Sequence, residues 1–262
     1  MRVHVVSDVH GNVEDLKRAG DGADALVVLG DLIDFVDYHR YDRGILGTIF
    51  GPEKVARFAE LRQVGGPEVG AYARSLWESL DDPALVVEEA VREQYSQLFG
   101  AMPAPTYATP GNVDAPRLWP EFASEGLHVL DGSSVEIGGL RFGFLGGTLL
   151  PPGGALRRDA AWVPNLREEH EFDRELAGVE PVDVLCTHLP PAVPELLYDV
   201  VARRGERGSA ALRERIHRDQ PRWSLFGHVH QPMSQRVRLG RTECINVGHF
   251  QRTGQPYVLR WS

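Results

Sequence analysis

Apolar runs set off by polar positions mark five strands, and each of these strands stops on a side chain able to hold a metal. Arg2–Ser7 runs into Asp8-Val9-His10, and Ala25–Leu29 into Gly30-Asp31. Pro105–Thr109 runs into Gly111-Asn112-Val113-Asp114, Val182–Cys186 into Thr187-His188, and Arg222–Phe226 into Gly227-His228-Val229-His230. Strands this apolar on both faces predict sheets covered on both sides. In an α/β sheet the carboxyl ends of the strands gather at one edge, where ligands bind. Asp8, His10, Asp31, Asn112, His188, His228 and His230 are therefore expected to converge from distant positions. Seven donors exceed what one tetrahedral ion takes and suit two ions sharing a carboxylate. Taken singly, each motif has an ordinary reading as a polar turn or a core-edge histidine. Their joint occurrence at strand ends is what favours a metal site.

The rest of the pattern is mostly helical in the first half. Asn12–Ala19 predicts a short helix after the first strand. Leu32–Gly51, rich in Asp, Tyr, Arg and Gly, reads as a loop beside the site. Helical periodicity then covers Glu53–Gln63, Glu68–Leu80 and Pro83–Phe99, the last opened by an Asp82 cap and Pro83 in the first turn. Residues 32–102 are accordingly read as an insertion packed over or beside the core of a single domain spanning 1–262. Arg117–Ser124 predicts a short helix, and Val135–Leu145 a hairpin turning at Gly138-Gly139. Gly146–Gly154 reads as a loop. Asn165–Ala177 and Ser209–Asp219 read as helices, and Gln235–Leu239, Thr242–Val247 and Tyr257–Trp261 as closing strands.

Composition narrows the partners. The 262 residues carry a formal net charge of −9 with histidine neutral, which argues against a basic surface for nucleic-acid polymers or membranes. A metal-lined cleft would still attract phosphate, because bound cations dominate the local field. The two cysteines, Cys186 and Cys244, fall in predicted strands and read as small buried hydrophobes, with a bridge between them as the alternative. No secretory leader pattern opens the chain and no apolar run reaches membrane-spanning length, so a cytoplasmic protein is expected.

The ordered set Asp8-x-His10, Gly30-Asp31, Gly111-Asn112-x-Asp114, His188 and Gly227-His228-x-His230 resembles the calcineurin-like metallophosphoesterase superfamily. Ser7-Asp8-Val9-His10-Gly11-Asn12 and the late Asn246-Val247-Gly248 turn look closest to its small prokaryotic phosphodiesterase branch. The resemblance implies a four-layer α/β/β/α sandwich of two mixed sheets. It implies one divalent ion on Asp8, His10, Asp31 and His230, and a second on Asp31, Asn112, His188 and His228. Mn2+ is the expected metal, with Fe or Zn2+ as alternatives. Asp31, Asn112 and His188 would act in catalysis with a metal-bridging hydroxide, on a small phosphorylated substrate. Val113 stands where most members place a histidine that contacts phosphate and protonates the leaving group, which leaves Asp114 without its usual imidazole partner. His39 and His249 are the candidates for touching substrate phosphate in its place, and Arg40 and Arg43 could also reach one. Hydrolysis of a phosphodiester is the favoured activity. A phosphomonoesterase or nucleotidase, or a non-catalytic scaffold on the same fold, is the alternative. The insertion could also join copies of the chain into a homo-oligomer.

Overall fold

The computed structural model describes residues 1–156 and 160–262. A first sheet holds β1 (Arg2–Val6), β2 (Ala25–Val28), β3 (Thr106–Ala108), β4 (Leu127–Val129) and, from the end of the chain, β15 (Tyr257–Arg260). Its order is β15-β1-β2-β3-β4, and only β15 runs antiparallel to its neighbour. A second sheet holds β5 (Ser133–Ile137), β6 (Leu140–Leu145), β9 (Val184–Thr187), β12 (Trp223–Phe226), β13 (Arg236–Leu239) and β14 (Thr242–Asn246). Its order is β13-β14-β12-β9-β6-β5, with four parallel strands flanked by antiparallel β13 and β5. Two short ladders, β7 (Thr148–Leu149) with β8 (Leu166–Arg167) and β10 (Tyr198–Asp199) with β11 (Arg204–Gly205), lie outside the sheets.

Side chains alternate across a strand, and here both faces are buried. Val3, Val5, Val27 and Leu29 point from the first sheet onto Phe142, Phe144, Val184, Cys186, Leu225 and Ile245 of the second. The intervening Val6, Leu26 and Val28 point the other way. They pack on Leu16 of α1 (Val13–Leu16) and on Val87, Val91, Tyr95 and Leu98 of α5 (Pro83–Ala101). The outer face of the second sheet, through Leu145, Leu185, Phe226 and Cys244, meets Phe172 and Leu176 of α6 (Glu169–Gly178) and Leu212 and Ile216 of α8 (Ala210–Asp219). These three apolar interfaces make four layers, α/β/β/α, from two mixed sheets. Both cysteines are buried and free.

Residues 32–102 carry α2 (Gly44–Phe50), α3 (Pro52–Val64), α4 (Pro67–Trp77) and α5. Leu46, Phe50, Val55 and Leu76 close a small apolar cluster of their own, whereas α5 belongs to the core layer of the first sheet. Leu32–Gly51 is therefore not loop throughout. Ile45, Leu46 and Phe50 bury one face of α2, an apolar stripe that the flanking Asp, Arg and Gly residues mask in sequence. The helix expected over Asn165–Ala177 starts only at Glu169. Leu166 and Arg167 pair with Thr148 and Leu149, and Glu168 with Glu171 forms the capping box that opens α6. Pro116–Phe122 is a 3-10 helix with Pro120 inside it, a position at which an α-helix would lose a hydrogen bond. The short α7 (Pro194–Leu197) and α9 (Phe250–Thr253) complete the described helices.

α5 also fixes the loops after β2 and β3. The Tyr95 hydroxyl donates to Asp114 Oδ1 at 3.2 Å and accepts the Ala115 N–H at 2.6 Å. Asp114, fully buried, accepts from Leu32 N–H at 3.0 Å and Gly111 N–H at 2.8 Å. In place of an imidazole it thus binds the backbone of two loops. Tyr95→Phe strips a buried N–H of its acceptor and a buried carboxylate of a donor. Urea unfolding of that variant is expected to show a loss of about 1–3 kcal/mol, and unchanged stability would show that these bonds do not hold the loops.

Candidate metal centre

Backbone shape brings the donors together. Asp8, His10, Asp31 and His228 all sit in the left-handed region, with φ of 56°, 40°, 54° and 68°. Non-glycine residues avoid this region at a cost of about 1–3 kcal/mol each, and such strain concentrates at functional sites. Here it turns the chain sharply where each strand ends. The loops after β1 and β2 then run side by side, with His10 N–H on Asp31 O at 2.9 Å and Gly11 N–H on Leu32 O at 2.8 Å. The Gln251 side chain donates to His10 O at 2.9 Å. The Asn246 side chain donates to Gly227 O at 3.2 Å and to Val229 O at 2.9 Å, which holds the loop carrying His228 and His230. Gly227 lies so close to Ser7 and Asp8 that any Cβ there would collide with both side chains.

The resulting cluster is dense. His10 Nε2 lies 3.2 Å from His230 Nε2, 3.8 Å from Asp31 Oδ2 and 3.9 Å from Asp8 Oδ1. His230 Nε2 lies 3.4 Å from Asp8 Oδ1. His188 Nε2 lies 3.4 Å from Asp31 Oδ2 and 3.1 Å from Asn112 Oδ1, and its ring centre is 5.3 Å from that of His228. The backbone amide of His228 donates to Asp8 Oδ2 at 3.0 Å. Among the described residues, Asp8, Asp31 and His188 form one group with donor atoms within 4.8 Å, and His10, His230 and His249 form another. All seven expected donors are thus in one place. His249 joins them through a ring stack on His230 at 3.8 Å.

These side chains fit a cation on their own chemistry. Asp8 Oδ1 is buried with no hydrogen-bond partner. His10 Nδ1 faces Ile33 O at 3.2 Å and His188 Nδ1 faces Leu29 O at 2.7 Å. With the proton on Nδ1, both Nε2 lone pairs point inward. His10 Nε2 and His230 Nε2, 3.2 Å apart, can share a proton or, with both deprotonated, a cation between them. Spacings just over 3 Å are also those of neighbouring ligands about 2.0–2.1 Å from one ion.

Titration follows the same logic. Burial works to raise the Asp8 carboxyl, but His230, His188 and His10 overcome it and hold it well below the usual carboxylate range. Burial likewise opposes ionisation of Asp31, and His188 followed by His10 brings it down to about 2. Against burial, Asp31 keeps a proton on His188 up to about 9, and Asp8 raises His230. Burial lowers His10, and burial with the charge of His188 takes His228 down to about 4. His249 falls to about 4 through burial and the charge of His230.

A cleft of about 920 Å3 opens beside His10, His230 and His249. His39 is exposed on its wall and stands apart from the donor cluster; Arg40, Arg43 and Arg252 share that wall. Two residues not singled out from the sequence also matter here. Gln251 pins the His10 carbonyl, and Asp34 lines the cleft while almost completely buried. The only signal for Asp34 is its place three residues after Asp31.

Comparison with known proteins agrees with this picture. A solved structure with 17% identity covers 100% of this chain and 99% of its own, with a TM-score of 0.60. The crystal structure of TT1561 from Thermus thermophilus is 14% identical, covers 99% of this chain and 98% of its own, and gives 0.55. Both share the fold. No curated protein matches the chain. Among the described residues no helix is long and apolar enough to cross a membrane. The family description "calcineurin-like phosphoesterase" matches residues 1–232, a span that contains all seven donor positions, and the chain therefore belongs to this family of metal-dependent phosphoester hydrolases.

Proposed function

We propose that the protein is a two-cation phosphodiesterase. One cation would be held by Asp8, His10, Asp31 and His230, the other by Asp31, Asn112, His188 and His228. The observation that carries this reading is the position of Asp31, whose Oδ2 lies within 4 Å of both His10 Nε2 and His188 Nε2. Its other oxygen accepts the Val113 N–H at 2.9 Å, which fixes the carboxylate between the two groups. When bound, the cations lower the pKa of water and neutralise charge on phosphate. The imidazole and amide donors add no negative charge, so the site keeps net attraction for a phosphate anion. Mn2+ suits this mixture of carboxylate, imidazole and amide, as do Fe and Zn2+.

Two features favour a diester. Val113 offers no imidazole for recognising a monoester's extra charge, and it packs against the apolar core layer. The cleft is large enough for groups on both sides of the phosphorus. Residues 32–102, read as an insertion within one domain, contribute Asp37, His39, Arg40 and Arg43 to its wall, so they would govern access and selectivity. Every matched donor position holds a side chain able to ligate, which argues against a scaffold.

Asp31→Asn should weaken cation binding by at least about 100-fold and abolish most turnover, while circular dichroism stays unchanged. Full metal content by elemental analysis together with full turnover would refute the bridging assignment. Cation affinity should also rise with pH. His188 in the metal-free fold keeps its proton up to about 9, so a cation must displace that proton below this pH. Titration calorimetry should show proton release on binding, and affinity should strengthen about tenfold per pH unit between pH 6 and 8 for that one proton. Finally, side-by-side turnover of 4-nitrophenyl phosphate and bis(4-nitrophenyl) phosphate should favour the diester; preference for the monoester would make the protein a monoesterase or nucleotidase.

A further inference from the structure

Asp34 has no part in the donor cluster, yet its carboxyl group stands on the wall of the same cleft. It is 8% exposed and lines the same cleft as His10, His230 and His249. Among the described residues its carboxyl oxygens accept no hydrogen bond, and no basic side chain lies within 4 Å. Arg43, on the same loop, attracts it from farther away. The residue is mostly buried while its carboxyl group faces the cleft it lines, so a ligand in that cleft can meet it.

Its backbone, by contrast, is held firmly. The Gln94 side chain of α5 accepts the Asp34 N–H at 2.8 Å and donates to the Asp34 carbonyl at 3.1 Å. The same carbonyl accepts the Ile45 N–H at 2.9 Å. Two glycines with positive φ make room for the side chain. A Cβ on Gly11 would lie 3.2 Å from Asp34 Cβ, and one on Gly44 would lie 3.3 Å from Asp34 Cγ. Gly11 follows His10 directly, so the Asp34 Cβ packs beside the loop that carries His10, and the residue shares the cleft with His10, His230 and His249. Rigid backbone with an unbonded functional group is the arrangement expected where the group meets a ligand.

We propose that Asp34 is the proton donor to the leaving oxygen, taking the role that Val113 cannot fill. The proposal rests on the phosphoesterase reading above. As the water oxygen forms its bond to phosphorus and the bond from phosphorus to the leaving oxygen breaks, the Asp34 carboxyl gives its proton to that oxygen. The leaving group departs as a neutral alcohol or phenol. The Asp34 carboxylate then regains a proton from solvent, which balances the one released by the attacking water.

Electrostatics supports the assignment. Burial, with the like charge of Asp37, pushes the Asp34 carboxyl up to about 7 against the pull of Arg43. A general acid works best with a pKa near the working pH. α5 presents only uncharged side chains to the cleft, Gln94, Gln97 and Leu98. Charged or titratable groups on the other walls are His10 and Glu14 near the first loop, Asp37, His39, Arg40 and Arg43 on its own loop, and Asp199, His230, His249 and Arg252 across the opening. Bound cations lower the group and a bound phosphate anion raises it.

The test uses Asp34→Asn, which keeps the shape and breaks no existing hydrogen bond. Methyl aryl phosphodiesters with leaving phenols from 4-nitrophenol to phenol are compared in wild type and variant at equal metal content. The loss in kcat should grow along the series to about 100-fold or more for phenol, and the alkaline limb of the wild-type profile should disappear for that substrate. An equal loss across the series, or a loss confined to KM, would overturn the role. Infrared titration of the metal-free protein gives a readout independent of activity. A protonated carboxyl absent from Asp34→Asn should ionise in wild type near pH 7; a group already ionised at pH 6 would overturn the proposal. Absence of any diester turnover in wild type would instead refute the function, with the infrared result still deciding whether Asp34 carries the proton.

Discussion

Asp8 and Asp31 place two carboxylates within one buried site, and the free energy of holding charge there governs everything around them. Removing an ion from water costs several kcal/mol, recovered only with a well-placed opposite charge. The protein supplies imidazoles with their lone pairs turned inward, which are poor counter-charges until something positive arrives. In the metal-free fold that positive charge is a proton, retained on His188 and His230 by the neighbouring carboxylates. Left-handed turns at Asp8, His10, Asp31 and His228 add strain to the same point. Two sheets packed through Val5, Leu29, Phe144, Cys186 and Leu225 provide the apolar burial against which such costs can be borne.

Much of this was legible in the sequence because strand ends are marked twice. An apolar run gives the strand, and the polar residue that ends it gives the direction in which the site lies. The five strands and seven donors follow from that rule. The features that escaped it depend on tertiary packing. α2 exists because Ile45, Leu46 and Phe50 find partners on neighbouring helices, and its own composition reads as loop. β4 is three residues long, too short for an alternation to show. Leu166 and Arg167 leave the helical pattern because Thr148 and Leu149 offer a ladder. Asp34 becomes unusual only when α5 and α2 close around it.

α5 connects these observations. Through adjacent residues it reaches two different loops: Gln94 clamps Asp34, while Tyr95 binds Asp114 and Ala115 beside Asn112. Its opposite contribution, Val87, Val91 and Leu98, lies in the main apolar layer. Residues 32–102 therefore combine a peripheral apolar cluster with a helix on which the site's geometry depends.

The position of β1 has a kinetic consequence. The first strand sits between β2 and β15, so half of its pairing must wait for a strand more than two hundred residues away. The loop after it is closed in the same way, by backbone bonds from Phe250 and Gln251 to Ser7 and Asp8. Contacts of such sequence separation form late and slow the search for the native state. A ribosome-bound chain still missing β15 and the loop before it would hold Asp8 and His10 without their mates, so under the proposed ligand assignment metal would be captured firmly only once β1 and β15 have met.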